Sequence, residues 1–498
     1  MLIIMSEPEV KRGLPWIYFL RQLFICSGIW SCLFFMGLCM GSPTIIIPQL
    51  RREVNSTDAV SKEMASWLSS AFSYSGVPWS IIIPISITTV GRKITQTIVC
   101  VFSFIGFIIL YTSSSVYLIL ISEICQGALF ASFLTILVIV ITEYSSSQYR
   151  GMFLTIKSAT FFWGVLISNA IGTFYHWRNI AILGLICSAF SLLSILVWPE
   201  SPLWLAKKRR FDECKKAHRW LKGCDVDSEK ELEKIIANHQ NVYKKSSIRT
   251  EVLESIKILN KIEFYKPILL SLLVLSLYTF SGKLVCTLYA IDIIKQITKS
   301  ESTAYTGMLI LDAVTVCTMY VGCALSKTLK RRTLLLTSSS IAILFMLVLS
   351  LYTYLVKLSI VAEEKHLSIA LLVGYSVAIG SGPMILSTSI TGELIPLQSR
   401  SLSMTIIALF FKFTQGTFVK VSPYFFDYFD THGAFLTFAV LSSICLVLIY
   451  YYLPETKDKT LQEISDCITG VRNMDEGKEL LPVGQNITIV PSNARIAS

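Results

Sequence analysis

Lys283, Asp312 and Lys412 stand inside long apolar runs of this chain. A charge at membrane depth is costly, so each of the three is a candidate for function or for pairing. Lys283 and Asp312 fall at similar depth in successive runs, and an ion pair between them would offset both desolvation costs. On the other reading, Lys283 and Lys412 line a cavity and attract an anionic or highly polar molecule. A second set of charges ends the apolar runs: Glu143 with Arg150, and Glu393 with Arg400, each pair seven residues apart. Charged hydrogen bonds at such helix ends can hold two moving parts together and break when the parts rock. This is the chemistry of recognition and movement. The sequence carries no nucleotide-binding loop, nucleophile triad or metal-ligand cluster, so an enzyme or a cofactor is not expected.

The elements that carry these residues are membrane helices. Of 498 residues, 53% are hydrophobic and 15% charged, against about 25% charged in a soluble domain. The charges cluster, and between the clusters lie runs long enough to cross a bilayer. Twelve spans are expected, at 22–48, 64–90, 94–112, 116–142, 152–174, 178–198, 266–291, 303–326, 333–356, 367–392, 401–423 and 432–453. Arg92, Lys93, Arg150, Lys157, Lys207–Arg210, Lys330–Arg332 and Arg400 fall on one side, which the positive-inside rule makes cytosolic. Both termini, 1–21 and 454–498, are then cytosolic, and the protein is a multi-pass protein of the cell membrane. Asn55-Ser56-Thr57 is a glycosylation sequon in the first outside loop. The polar stretch 200–265 divides six spans (22–199) from six (266–453). Its spacing predicts short amphipathic helices, one of them opened by a capping box of Ser228 and Glu231. Ten of the thirteen cysteines lie in apolar runs and three in segments placed in the cytosol, so reduced thiols are expected. The net charge of +11 flanks apolar runs and forms no aromatic-interleaved stripe, so nucleic acid is not a partner.

The two halves share punctuation. Gly91-Arg92-Lys93 follows the second span and Lys330-Arg331-Arg332 the eighth. The Glu-to-Arg spacing of seven ends the fourth and the tenth. Pro199-Glu200-Ser201-Pro202 ends the sixth and Pro454-Glu455-Thr456 the twelfth. Duplication of a six-helix unit gives this order. With Leu203-Trp204-Leu205 and Lys459-Thr460-Leu461, these residues make the chain, over about 20–465, resemble the sugar porter branch of the major facilitator superfamily. Gly41-Ser42-Pro43 and His432-Gly433-Ala434-Phe435 are similar to the insect facilitated trehalose and glucose transporters. The resemblance implies an all-α membrane protein of two pseudo-symmetric six-helix bundles, alternating access, and a sugar bound between the bundles near the midplane. It also implies a cytosolic latch of Arg92, Glu143, Arg150, Glu200, Glu393, Arg400 and Glu455 that closes in the outward-open state.

The match to the family's sugar site is incomplete. The seventh span normally carries two Gln and an Asn; here it reads Tyr278-Thr279-Phe280-Ser281-Gly282-Lys283-Leu284. Ser158 stands where the fifth span often has a Gln, Glu123 where the fourth has an Arg, and Phe411-Lys412 where the eleventh has Asn-Trp. Loss of an amide removes both a donor and an acceptor for a sugar hydroxyl. If a sugar binds, Ser158, Tyr278, Thr279, Ser281, Lys283, Tyr289, Thr405, Lys412, Thr414 and Gln415 are the groups left to hold it, although each could equally pack between helices. No acid occurs between Gln22 and Leu50, where proton-coupled relatives carry an Asp, which favours facilitated transport of trehalose or a hexose. The alternatives are a transporter-like sensor that carries no sugar, and a carrier of another polar or anionic solute. The sequence does not specify an oligomeric state.

Overall fold

In the computed structural model, residues 15–53, 60–240, 262–395 and 400–457 are described, with 459, 463, 464 and 467. Among the described residues every regular element is a helix, as it must be where lipid offers no backbone partner. The first six spans are α1 (Pro15–Glu53), α2 (Lys62–Thr89), α3 (Arg92–Thr112), the pair α4 (Val116–Ser132) and α5 (Ile136–Tyr144), α6 (Ser147–Phe174) and α7 (Arg178–Val197). The second six are α11 (Ile262–Phe280) with α12 (Lys283–Leu288), α14 (Glu301–Thr328), α15 (Arg331–Lys357), α16 (Lys365–Ser381) with α17 (Pro383–Leu394), and the two spans within α18 (Arg400–Tyr452). A short α13 (Ala290–Thr298) joins α12 to α14. Asp430, with φ 55° and ψ −177°, breaks α18 into its two spans, and its carboxylate accepts from Lys357 Nζ at 2.5 Å.

The spans run further than the apolar pattern predicts and are interrupted where it predicts continuity. α4 and α5 meet at a bend of 42°. The seventh span breaks at Gly282, whose left-handed φ of 76° suits a residue without Cβ. A Cβ there would stand 2.5 Å from Phe438 Cδ2. The carbonyl of Ser281, at the break, accepts from Tyr375 Oη at 2.8 Å. The tenth span turns at Gly382, and Pro383 opens the next helix at a position where its missing N–H costs nothing.

Between the two bundles lie α8 (Pro202–Lys207), α9 (Phe211–Lys222) and α10 (Val226–Gln240). They sit on the face where α1 begins: Arg21 Nη1 donates to Trp220 O at 2.9 Å, and Gln22 Nε2 to Leu221 O at 3.1 Å. This is the base-rich face, and the other is termed the opposite face. The capping box at Ser228 is not what opens α10. The helix starts at Val226, and Ser228 Oγ donates to Gly223 O while meeting His218 Nε2, which ties α10 to α9. Burial lowers the His218 pKa below its usual value, which favours the neutral ring. Asn55 lies outside the described residues, as does the side chain of Arg400. All thirteen cysteines are free.

Candidate functional site

The helices of the first bundle pack by removing side chains. Gly37 and Gly41 on α1 meet Gly164 and Ser168 on α6, so that a Cβ on Gly37 would lie 2.1 Å from Phe161 O and one on Gly164 2.0 Å from Phe34 O. Small residues four apart on both helices let the backbones touch. This contact fixes the faces of α1 and α6 that look toward the second bundle.

A cavity of about 770 Å³, including its open part, lies between the bundles. Its walls are mostly apolar, with Met36 and Met40 from α1, Phe130 and Phe133 around the α4–α5 bend, and Phe161, Phe162 and Val165 from α6. The second bundle adds Met319, Met384 and Phe411. A few polar groups converge on it: Ser158, Tyr278, Lys283, Thr287, Ser387, Thr388 and Gln415. This composition is that of a small-molecule site, apolar with sparse polar anchors.

Four of the ten residues singled out from sequence therefore line the cavity: Ser158, Tyr278, Lys283 and Gln415. The others do not. Thr279 and Ser281 turn their hydroxyls onto their own helix, to Leu275 O at 3.0 Å and Tyr278 O at 2.6 Å, as hydroxyls in membrane helices commonly do. Tyr289 donates to Val419 O at 3.3 Å and faces a separate pit on the opposite face. Lys412 lies behind the wall, its ammonium 4.9 Å from the centre of the Phe130 ring.

The expected ion pair is replaced by a split arrangement. Lys283 Nζ donates to Thr315 Oγ1 at 2.8 Å and Ser376 Oγ at 3.3 Å, while Asp312 Oδ2 accepts from Asn169 Nδ2 at 2.6 Å. The two charges are neighbours without touching. Asn169 belongs to α6 and Asp312 to α14, so the carboxylate is spent on joining the bundles. Sequence reasoning passed over Asn169, a neutral amide with no distinguishing spacing.

Other bonds between the bundles, among the described residues, also lie at the midplane or toward the opposite face. Thr44 Oγ1 donates to Leu288 O at 3.0 Å, Ser66 Oγ to Lys420 O at 2.7 Å, and Tyr74 meets Thr417 at 2.9 Å. At the surface Arg52 pairs with Glu301 and Lys62 with Asp427. The opposite face is closed.

On the base-rich face the duplicated motifs build one network in each bundle. Arg92 grips Glu143 with two bonds, at 2.9 and 2.8 Å, and Ser201 Oγ donates to the same carboxylate. Glu200 Oε1 accepts from the Arg92 and Ser201 backbone N–H groups at 2.9 and 2.8 Å. In the second bundle Arg331 pairs with Glu393. Glu455 accepts from the N–H groups of Arg331 at 3.0 Å and Arg332 at 3.2 Å. Glu200 and Glu455 thus cap the starts of α3 and α15, where orphan N–H groups and the helix dipole favour a carboxylate. Gly91, at φ 105°, is needed for its turn, whereas Lys330, at φ −65°, is not strained. That explains why the glycine is absent from the second copy. The bonds of Glu143, Glu200 and Glu455 stay within their own bundles in this closed-opposite-face state.

A sequence model of the family described as "Sugar (and other) transporter" matches residues 23–467. The chain belongs to that family. Among relatives of this sugar transporter are two named "Facilitated trehalose transporter Tret1". The one from Polypedilum vanderplanki is 24% identical over 481 residues, 95% of this chain and 93% of that one. The one from Bombyx mori is 26% identical over 441 residues, 86% and 84% of the two chains. Among solved structures, the proton:xylose symporter XylE of the major facilitator superfamily, bound to 6-bromo-6-deoxy-D-glucose, superposes with a TM-score of 0.69 at 15% identity, covering 91% of this chain and all of that one. The inward-open XylE from E. coli gives 0.69 at 14% identity, with 90% and 99% covered. The fold of this sugar transporter family member is that of the major facilitators.

Proposed function

We propose that the chain carries a sugar, trehalose or a hexose, across the membrane by facilitated diffusion through alternating access. The observation that carries this reading is the cavity walled by both bundles and closed toward the opposite face, in a member of the sugar transporter family. The base-rich face is cytosolic, both termini are cytosolic, and the cell membrane is the site of action. Ser158, Tyr278, Lys283 and Gln415 bind the sugar, while the methionines and phenylalanines stack on its apolar faces. Arg92, Glu143, Arg150, Glu200, Glu393, Arg400 and Glu455 form the cytosolic gate.

Uptake of labelled trehalose and glucose into oocytes, with surface expression confirmed, tests the function. Entry should equilibrate without concentrating and ignore a protonophore. A surface-expressed chain that raises neither flux would sink the trehalose or hexose reading and leave a sensor or a carrier of another polar or anionic solute. The orientation has its own test, because Asn55 should carry a glycan in a eukaryotic host. Glycosidase or Asn55→Gln should shift gel mobility; an unchanged band would reverse the topology.

A further inference from the structure

Two lysines with no counter-charge among the described residues stand behind the cavity wall, one from each bundle. Lys157 of α6 reads from its position as one of the bases that set orientation, but it is buried, 7% exposed, with its ammonium 4.3 Å from the centre of the Phe133 ring. Lys412 of α18 is 1% exposed, and its ammonium sits over Phe130. Phe130 and Phe133 are three residues apart and both line the cavity. The two cations therefore approach the same pair of rings from opposite bundles. Among the described residues neither forms a hydrogen bond or an ion pair. Lys283, the third buried lysine of the region, has Thr315 and Ser376. The two buried carboxylates nearby are engaged elsewhere, Asp312 by Asn169 and Glu123 by Ser42 Oγ at 3.1 Å.

An ammonium over a ring is stabilised by the ring's quadrupole, but by less than taking an ion out of water costs. The rings alone leave a deficit at both lysines, and a mobile anion entering the cavity would offset it. We propose that the preferred solute is a sugar bearing one anionic group, a carboxylate or a phosphate, drawn in by Lys157 and Lys412 while its hydroxyls meet the polar anchors. This rests on the carrier reading and narrows its substrate class. It also gives the missing amides a physical reason, since a charged group replaces part of the affinity they supply in a neutral-sugar site.

The test uses the purified full chain in detergent, with thermal stabilisation by glucose, trehalose, glucuronate and glucose 6-phosphate titrated in parallel. Either anion should bind at least about tenfold tighter than glucose, which corresponds to about 1.4 kcal/mol. The arm that wins tells carboxylate from phosphate. In Lys157→Gln and in Lys412→Gln the ratio of anion to glucose affinity should collapse toward one. The wild-type ratio needs no variant, so misfolding of either substitution leaves the proposal open to refutation. If glucose or trehalose binds as tightly as both anions, this inference falls and the carrier reading stands. If none of the four binds, both fall.

Discussion

Gly37→Ala and Gly164→Ala should each remove the protein from the membrane surface, the largest effect expected of any single methyl in the chain. An added Cβ at either position would meet a backbone carbonyl oxygen at 2.1 or 2.0 Å, and a backbone cannot swing aside as a side chain can. Overpacking in a good core costs about 1–3 kcal/mol, and here relief requires α1 and α6 to part along their whole contact. The cavity wall would part with them, because Met36, Met40, Phe161 and Val165 flank the same crossing. Gly392→Ala is the control. It lies inside α17 with nothing within 4 Å of its Cβ, and replacing an interior helical Gly by Ala gains up to about 1 kcal/mol. Surface biotinylation and the thermal midpoint in detergent should show loss for the first two and no loss for the third. Normal surface level of Gly164→Ala would mean that the α1–α6 crossing can open enough to take a methyl.

The residues most legible in the sequence are those whose meaning depends on position along the chain. Spans, the duplication and the paired Glu200 and Glu455 motifs follow from spacing, and the structure returns the motifs as two matching networks. What spacing does not give is rotation about a helix axis. A helix that is apolar nearly all round has no polar face to orient it. Thr279, Ser281 and Lys412 could therefore be placed at the right depth but not on the right side. Lys157 was misplaced for a related reason: seven residues beyond Arg150, it reads as a flanking base, whereas two turns of α6 carry it into the protein. Asn169 had no signal at all. The Gly37–Gly41 and Gly164–Ser168–Gly172 spacings, by contrast, were in plain view and would have identified the α1–α6 crossing. The split of Lys283 from Asp312 was beyond reach, because it depends on the break at Gly282 and on hydroxyls from two other helices.

Arg150→Gln and Glu393→Gln should each shift the carrier toward the state open on the base-rich face. The structure contains that state's signature as unmet bonding. Arg150 Nε, at the start of α6, is buried without a partner, and so is Glu393 Oε2, at the end of α17. Glu143 leaves nothing over, since both its oxygens are taken by Arg92 and Ser201. Bringing the base-rich ends of the bundles together would let the spare guanidinium donor of one bundle meet the spare carboxylate oxygen of the other. A charge-assisted hydrogen bond contributes about 1.5–3 kcal/mol. Near water the low end applies, or roughly tenfold in the balance of two states. That is enough to bias the cycle without locking it. A cysteine placed at Thr388, on the cavity wall, with Cys317 and Cys467 replaced by serine, reports the shift through its rate of modification by a membrane-impermeant thiol reagent applied to the base-rich face. Each single variant should raise that rate several-fold at unchanged surface level. Reversing both charges together, Arg150→Glu with Glu393→Arg, should bring it back toward the parent. Glu143→Gln should behave differently, lowering the amount of folded protein, because the Arg92–Glu143 pair is buried more deeply than Arg331 with Glu393 and its loss strands a less hydrated guanidinium. A labelling rate that stays at the parental level in both single variants would leave Arg150 and Glu393 as ordinary interfacial charges.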